Sequence, residues 1–172
     1  MQEALVLTLI GPDRSGIVDS LASIISEHGG SWERSHLAAL AGQFAGLVQI
    51  SCPTDRCQAL RSALQQIDGG LSVTIREENQ PEVAMGQPYQ LDVLGNDRPG
   101  IVAEVTRALR SQNVNILEIE TVIKPAPESG QNIFQTIAQI SLPAESEPSS
   151  LESALEALSP DLQVSLAGKD SF

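Results

Sequence analysis

Aromatic side chains are scarce: one Trp, one Tyr and three Phe make up 3% of the 172 residues. Single-strand nucleic-acid binders stack bases on surface rings, and this chain has few to offer. Basic residues are scarce too, ten Lys and Arg against 22 Asp and Glu, for a net charge of −12. The deficit is even, with five basic and ten acidic residues through Gln87 and five and twelve beyond it, and no basic run interrupts it. A nucleic-acid surface has to displace phosphate counterions, so direct DNA or RNA binding is not expected. No apolar run reaches the roughly 18 to 20 residues of a membrane span. The N-terminus lacks the charged region, apolar stretch and cleavage site of a signal peptide, so the expected setting is cytoplasmic, with no membrane partner. Two cysteines and two histidines are all the chain has of either. Cys52 and Cys57 make neither a zinc signature with His28 and His36 nor a disulfide framework. No Ser-His-Asp order or paired carboxylate is recoverable, so no catalytic residue, metal or cofactor is expected.

What the chain does have is a repeat. Gly11-Pro12-Asp13-Arg14-Ser15-Gly16 followed by Ile17-Val18 returns as Gly95-Asn96-Asp97-Arg98-Pro99-Gly100 followed by Ile101-Val102, 84 residues later. Gln49-Ile50-Ser51-Cys52-Pro53 matches Gln139-Ile140-Ser141-Leu142-Pro143 at an offset of 90, and Leu60, Leu64, Leu71 and Val73 match Leu151, Leu155, Leu162 and Val164 at 91. The step from 84 to 90 places six extra residues in the second copy, where residues 124–130 read as an extended hairpin loop. A repeat of this period makes the fold two copies of one topology. The expected domains are residues 1–78 and 88–172, with the polar stretch 79–87, which carries Pro81 and Gly86, as linker.

Within the first copy, residues 4–10 alternate as a strand, with Leu5, Leu7 and Leu9 on one face. Ile17, Val18, Leu21, Ile24 and Ile25 then fall on one helical stripe, with Ser15 as candidate N-cap and His28-Gly29-Gly30 as the stop. Strands follow at 32–40 and 44–52 around an Ala41-Gly42 turn. A helix carrying Leu60, Ala63, Leu64 and Ile67 ends at Gly69-Gly70, and residues 71–75 form a fourth strand. The second copy repeats this with strands near 89–94, 116–124, 133–142 and 162–167 and helices near 101–112 and 149–158. Two one-sided helices and four strands predict an α+β fold, each half an antiparallel four-stranded sheet with both helices on one face in ferredoxin-like βαββαβ order. The other sheet face, or an edge, is left to be shared or exposed, which is compatible with a homodimer.

The repeated turn lies between strand and helix, where unbonded amides and the positive end of the helix dipole favour a carboxylate or phosphate. Gly16 and Gly100 allow close backbone approach. Ile follows the second glycine where a P-loop needs Lys and Ser or Thr, and the three-glycine dinucleotide fingerprint is missing. Two readings stay open: the glycines make a tight turn whose Asp13 and Asp97 cap local amides, or the turn holds a ligand. Asp13-Arg14 and Asp97-Arg98 read as surface ion pairs or loop positioning rather than catalysis.

A βαββαβ module with Asp-Arg-Pro-Gly-Ile-Val at its first turn resembles the ACT domain, a small regulatory module that binds amino acids. Asp97 to Val102 match that pattern fully, whereas the first copy has Ser15 in the proline position. Two such modules with nothing else attached resemble the glycine cleavage system transcriptional repressor family. The resemblance implies a ligand held by the first turn and by the start of the second strand, at a domain pair. In this chain that points to Asn96, Asp97, Pro99, Gly100 and Ile101 with Asn115 and Ile116, and to Asp13, Gly16 and Ile17 with Ser31. Asn115 suits the task because a carboxamide both donates and accepts. The implied effector is glycine or a similar small amino acid, and the implied partner is a DNA-binding transcriptional activator. The alternative is a regulatory subunit or adaptor of a metabolic enzyme with degenerate ligand sites. The same turn opens proteins resembling formyltetrahydrofolate deformylase, where a catalytic domain follows; a chain ending at Phe172 leaves that domain no room.

Overall fold

Alternation places Leu5, Leu7 and Leu9 on one face of strand β1 (Gln2–Pro12), and all three are at most 1% exposed. The structure, a computed structural model, describes residues 1–67, 69–78, 86–125 and 132–168. The chain divides into two compact units, Met1–Pro81 and Glu82–Phe172. Unit 1 continues from β1 through α1 (Ile17–Glu27), β2 (Ser31–Leu40), β3 (Gln43–Pro53), α2 (Cys57–Gln65) and β4 (Ser72–Glu77). Unit 2 repeats the order as β5 (Gln87–Asn96), α3 (Ile101–Ser111), β6 (Asn115–Pro125), β7 (Asn132–Leu142), α4 (Pro148–Glu156) and β8 (Gln163–Gly168). Each unit holds a four-stranded sheet, in the orders β2-β3-β1-β4 and β6-β7-β5-β8, and every pairing is antiparallel.

Both helices of a unit lie on one face of its sheet, because one core takes residues from all of them. In unit 1, Ile17, Leu21 and Ile25 of α1 and Leu60 and Leu64 of α2 close on Leu5, Leu7, Val48 and Ile50. In unit 2, Ile101, Val105 and Leu109 of α3 and Leu151 and Leu155 of α4 close on Leu91, Val93, Phe134 and Ile140. Burial of each such side chain contributes about 1.5–3 kcal/mol. The α1 stripe is narrower than its sequence suggests: Val18 stays 46% exposed, as does its counterpart Val102 at 43%.

The helices of the two units also end alike. The amides of Gly29 and Gly30 donate to the carbonyls of Ser26 and Ile25, and those of Asn113 and Val114 to Arg110 and Leu109. These paired bonds satisfy carbonyls that would otherwise be left over at a helix end. A bulge then follows in each edge strand, between Trp32 and Arg34 and between Ile116 and Glu118. The β2–β3 hairpin turns on Ala41 and Gly42, both with positive φ (50° and 78°), as a two-residue hairpin requires. Of the expected linker, residues 79–85 lie outside the described residues and Gln87 already belongs to β5. Of the expected long loop, Lys124 and Pro125 end β6, and residues 126–130 lie outside the described residues. Among the described residues no helix is long and apolar enough to cross a membrane.

Candidate ligand site

Each strand-to-helix corner is tied on one flank by a backbone hydrogen bond and packs closely on the other. The Asp13 amide donates to the Gly42 carbonyl at the hairpin tip, and the Asp97 amide to the Asn132 carbonyl, both at 2.9 Å. On the other flank the corner touches the loop before the last strand. A Cβ on Gly11 would lie 2.9 Å from the Gly70 carbonyl oxygen and from Leu71 Cα, and one on Gly95 would lie 2.6 Å from Leu162 Cδ2. The first glycine is therefore there for close approach. The second is there for its backbone: Gly16 and Gly100 have φ of 84° and 90°, with open space where a side chain would be.

These second glycines, rather than the expected Ser15, are the N-caps, and neither α1 nor α3 has a side-chain cap. Left-handed backbone at that position is glycine's, whereas a capping serine needs the extended region. Asp13 and Asp97 do not cap the helices either. The carbonyl of Gly16 accepts from the Ser20 amide at 2.9 Å and that of Gly100 from the Glu104 amide at 3.0 Å. The three amides before each of these have no acceptor within their own helix, although Ile101 reaches back to the Arg98 carbonyl at 3.3 Å. Ile17 and Ile101 are 3% exposed and face the core, so only their backbones can meet a ligand.

Asn96, Asp97, Pro99, Gly100 and the Ile101 amide thus come together at one corner, and Asp13, Gly16 and the Ile17 amide at the other. The second-strand residues do not join them within a unit. Asn115 pairs with Ser141, which pairs with Pro88, whereas the corner begins at Asn96, eight residues further along β5. At about 3.3 Å per residue the separation is roughly 26 Å. Ser31 is likewise level with Ala4, eight residues from Pro12. The cause is topological, since each helix carries the chain back to the start of the first strand before the second begins. Ser31 and Asn115 are exposed, and Ile116 packs against the unit 2 core.

The two corners differ in chemistry. In unit 2 the Asn96 amide donates to Asp161 Oδ2 at 2.8 Å, and the Ser159 hydroxyl donates to Asp161 Oδ1. The Ser159 hydroxyl first, and then the Asn96 amide, hold the Asp161 carboxyl below its usual range. Asp161 lines a cavity of about 150 Å³ with Leu94, Gly95, Asn96, Ile133 and Gln163. In unit 1 the repeat puts Pro12, which has no amide hydrogen, in place of Asn96 and Gly70 in place of Asp161. This coupled change is the signal for Asp161 in the sequence, and the motif at the corner does not contain it. Arg98 pairs with Glu104 rather than Asp97, in a two-bond fork at 2.9 and 2.5 Å. The fork raises the Arg98 pKa and lowers that of Glu104. Unit 1 has Ser20 in place of Glu104, and its hydroxyl bonds the Gly16 carbonyl at 2.9 Å.

A wider depression of about 450 Å³, lined by Glu3, Ala4, Glu77 and Glu78, lies at the start of β1, away from the corner. Among the described residues no cluster of three His, Cys, Asp or Glu is placed to hold a metal. Cys52 and Cys57 are free and buried, and burial, with hydrogen bonds to Cys52 and Glu3, pushes the Cys57 thiol up to about 12. His28 Nδ1 donates to the Ile24 carbonyl at 2.8 Å and closes the end of α1.

The sequence model of the ACT domain matches residues 3–77 and 87–168, the two βαββαβ units. The chain belongs to the ACT domain family. Its two ACT domains are 27% identical over 166 residues to the glycine cleavage system transcriptional repressors of Escherichia coli (strain K12) and Shigella flexneri, covering 94% of this chain and 86% of each relative. The crystal structure of an unknown protein from Galdieria sulphuraria superposes with a TM-score of 0.86 at 27% identity, covering 99% of this chain and all of the other. A crystal structure described as a glycine cleavage system transcriptional repressor shares the tandem ACT fold at 19% identity, with a TM-score of 0.68 and 99% coverage of both chains.

Proposed function

We propose that this ACT protein is a non-catalytic, amino-acid-responsive regulator, with glycine or a similarly small amino acid as effector. The observation that carries the reading is the glycine-capped corner. Its helix has no side-chain cap, and the space beside its glycine cap is open, which suits a carboxylate at the positive end of the helix dipole. Membership of the ACT family and the name of the curated relatives support an amino-acid sensor that represses the glycine cleavage system. With a net charge of −12 the chain is a poor DNA ligand, so repression runs through a DNA-binding activator that it sequesters. The effector regulates by preferring one state of the protein over another, and a coupling of about 1–3 kcal/mol suffices.

Isothermal titration of the full chain with glycine, serine and larger amino acids tests the sensor. Saturable binding of a small amino acid is expected, and no binding of any amino acid at millimolar concentration overturns it. Pull-down from cell extract with and without that amino acid tests the partner. Capture of a DNA-binding protein that changes with the amino acid is expected, and capture indifferent to it overturns the regulatory role.

A further inference from the structure

The cavity beside the second corner holds the carboxylate of Asp161, and the repeat puts Gly70 at that position in the first unit. We infer that Asp161 accepts the primary ammonium group of the ligand, and that unit 2 is therefore the amino-acid-binding domain of the pair. The inference deepens the proposed sensor function and rests on it.

Acceptor capacity supports it first. An ionised carboxylate offers about four lone-pair sites, and here the Asn96 amide takes one on Oδ2 and the Ser159 hydroxyl one on Oδ1. Its own amide and the Asn96 carboxamide also act on it, and all of these donors are neutral, so they orient the negative charge without an opposite charge of their own. The neighbouring cation, Arg98, is already held in the fork with Glu104. An ammonium group brings the full positive charge that these neutral donors do not.

Size and lining support it next. About 150 Å³ is below the 300–1,000 Å³ typical of drug-sized ligands, so the cavity suits a ligand of very few heavy atoms. Around Asp161 the lining offers Gln163, whose carboxamide can donate to a carboxylate, and the apolar residues Leu94 and Ile133. One end of a small zwitterion thus finds an anion, and the other finds a neutral donor. In unit 1 the change of Asn96 to Pro12 removes the amide that orients the carboxylate, and the change of Asp161 to Gly70 removes the carboxylate itself.

Titration of the full chain and of Asp161→Asn with glycine, L-serine, ethanolamine and N-acetylglycine tests this, with Glu27→Gln as a charge-matched control on unit 1. The wild-type chain and the control are expected to bind glycine or serine alike, Asp161→Asn at least tenfold more weakly, and N-acetylglycine not measurably. Ethanolamine separates the two sources of an ammonium group: weaker binding than glycine assigns the site to amino acids, and equal binding supports the ammonium subsite but assigns it to amines. Amide chemical shifts of the wild-type chain keep the test independent of how the variant folds, and ligand-induced changes are expected at Asn96, Asp161 and Gln163. Full glycine affinity in folded Asp161→Asn, tight N-acetylglycine binding, or shifts confined to unit 1 overturn this inference and leave the sensor reading standing. A wild-type chain that binds none of the four overturns both.

Discussion

Gly29 and Asn113 hold the same left-handed backbone, φ 71° and 56°, one residue beyond the C-caps of α1 and α3. A β-carbon costs about 1–2 kcal/mol in this region, and asparagine reduces the cost by bonding locally. Asn113→Ala is therefore expected to destabilise unit 2 by about 1–2 kcal/mol, and Asn113→Gly to be neutral or mildly stabilising. Gly29→Ala is expected to cost a similar amount in unit 1, where the flexible end of Arg56 comes nearest the new methyl, at 3.2 Å, and Pro53 lies at an ordinary contact distance of 3.8 Å. Urea unfolding read by the single tryptophan, Trp32, reports unit 1, and resolved amide signals report unit 2. Equal stability of Asn113→Ala and Asn113→Gly would overturn the backbone argument.

The two glycines of each corner predict different penalties. Gly16→Ala and Gly100→Ala add a methyl in open space, so the cost is that of the backbone alone, about 1–2 kcal/mol. Gly11→Ala drives its methyl against backbone atoms of Gly70 and Leu71 that cannot rotate away. It is expected to cost more than Gly16→Ala, about 2–4 kcal/mol with the displaced loop included. Thermal and urea unfolding of both variants checks the order, and a Gly16→Ala penalty larger than that of Gly11→Ala contradicts it.

Cys57 is expected to be inert in the folded chain. Its thiol, pushed up to about 12 by burial and by hydrogen bonds to Cys52 and Glu3, carries almost no thiolate at pH 8. Relative to an ordinary cysteine the reactive fraction falls roughly a thousandfold, and 3% exposure slows access further. An aromatic disulfide reagent should therefore label it only as fast as unit 1 opens, and at once in denaturant. Fast labelling of Cys57 in the native chain would overturn this.

Much of this architecture is legible in the sequence because the features that set it are local. The leucines at positions 5, 7 and 9 declare a strand within five residues, and Leu60, Leu64, Leu151 and Leu155 declare helix faces within one turn. The repeat then settles the order of the second half from that of the first. Ser15 misleads as an N-cap because residue type does not reveal the sign of φ at Gly16. Val18 reads as core because the stripe it belongs to is wider than the helix face that the sheet covers. The corner is legible as a motif, yet Asn96 and Asp161 meet across 65 residues of chain, where no periodicity connects them. The distance of Asn115 from the corner is hidden for the same reason, since it follows from strand order and register.

Acid is expected to weaken unit 2 through Asp161 and Glu104. Ser159 and the Asn96 amide lower the Asp161 pKa in the folded state, and Arg98 lowers that of Glu104. Between the folded and unfolded values the unfolded chain binds more protons, so stability rises with pH there. The contribution is fully present above the unfolded carboxyl range of about pH 4 and is lost as pH falls through the lowered folded values. Glu3 acts with the same sign in unit 1, where Arg61 Nη2 lies 2.7 Å from its Oε1. The arginine pairings are open to solvent, so added salt should shrink their share. Urea midpoints between pH 6 and pH 2.5 measure the effect unit by unit. Asp161→Asn with Glu104→Gln should flatten the acid limb of unit 2 and leave that of unit 1 unchanged, whereas Glu3→Gln should do the reverse. A double variant whose unit 2 acid limb matches that of the wild-type chain would remove these two carboxylates from the account.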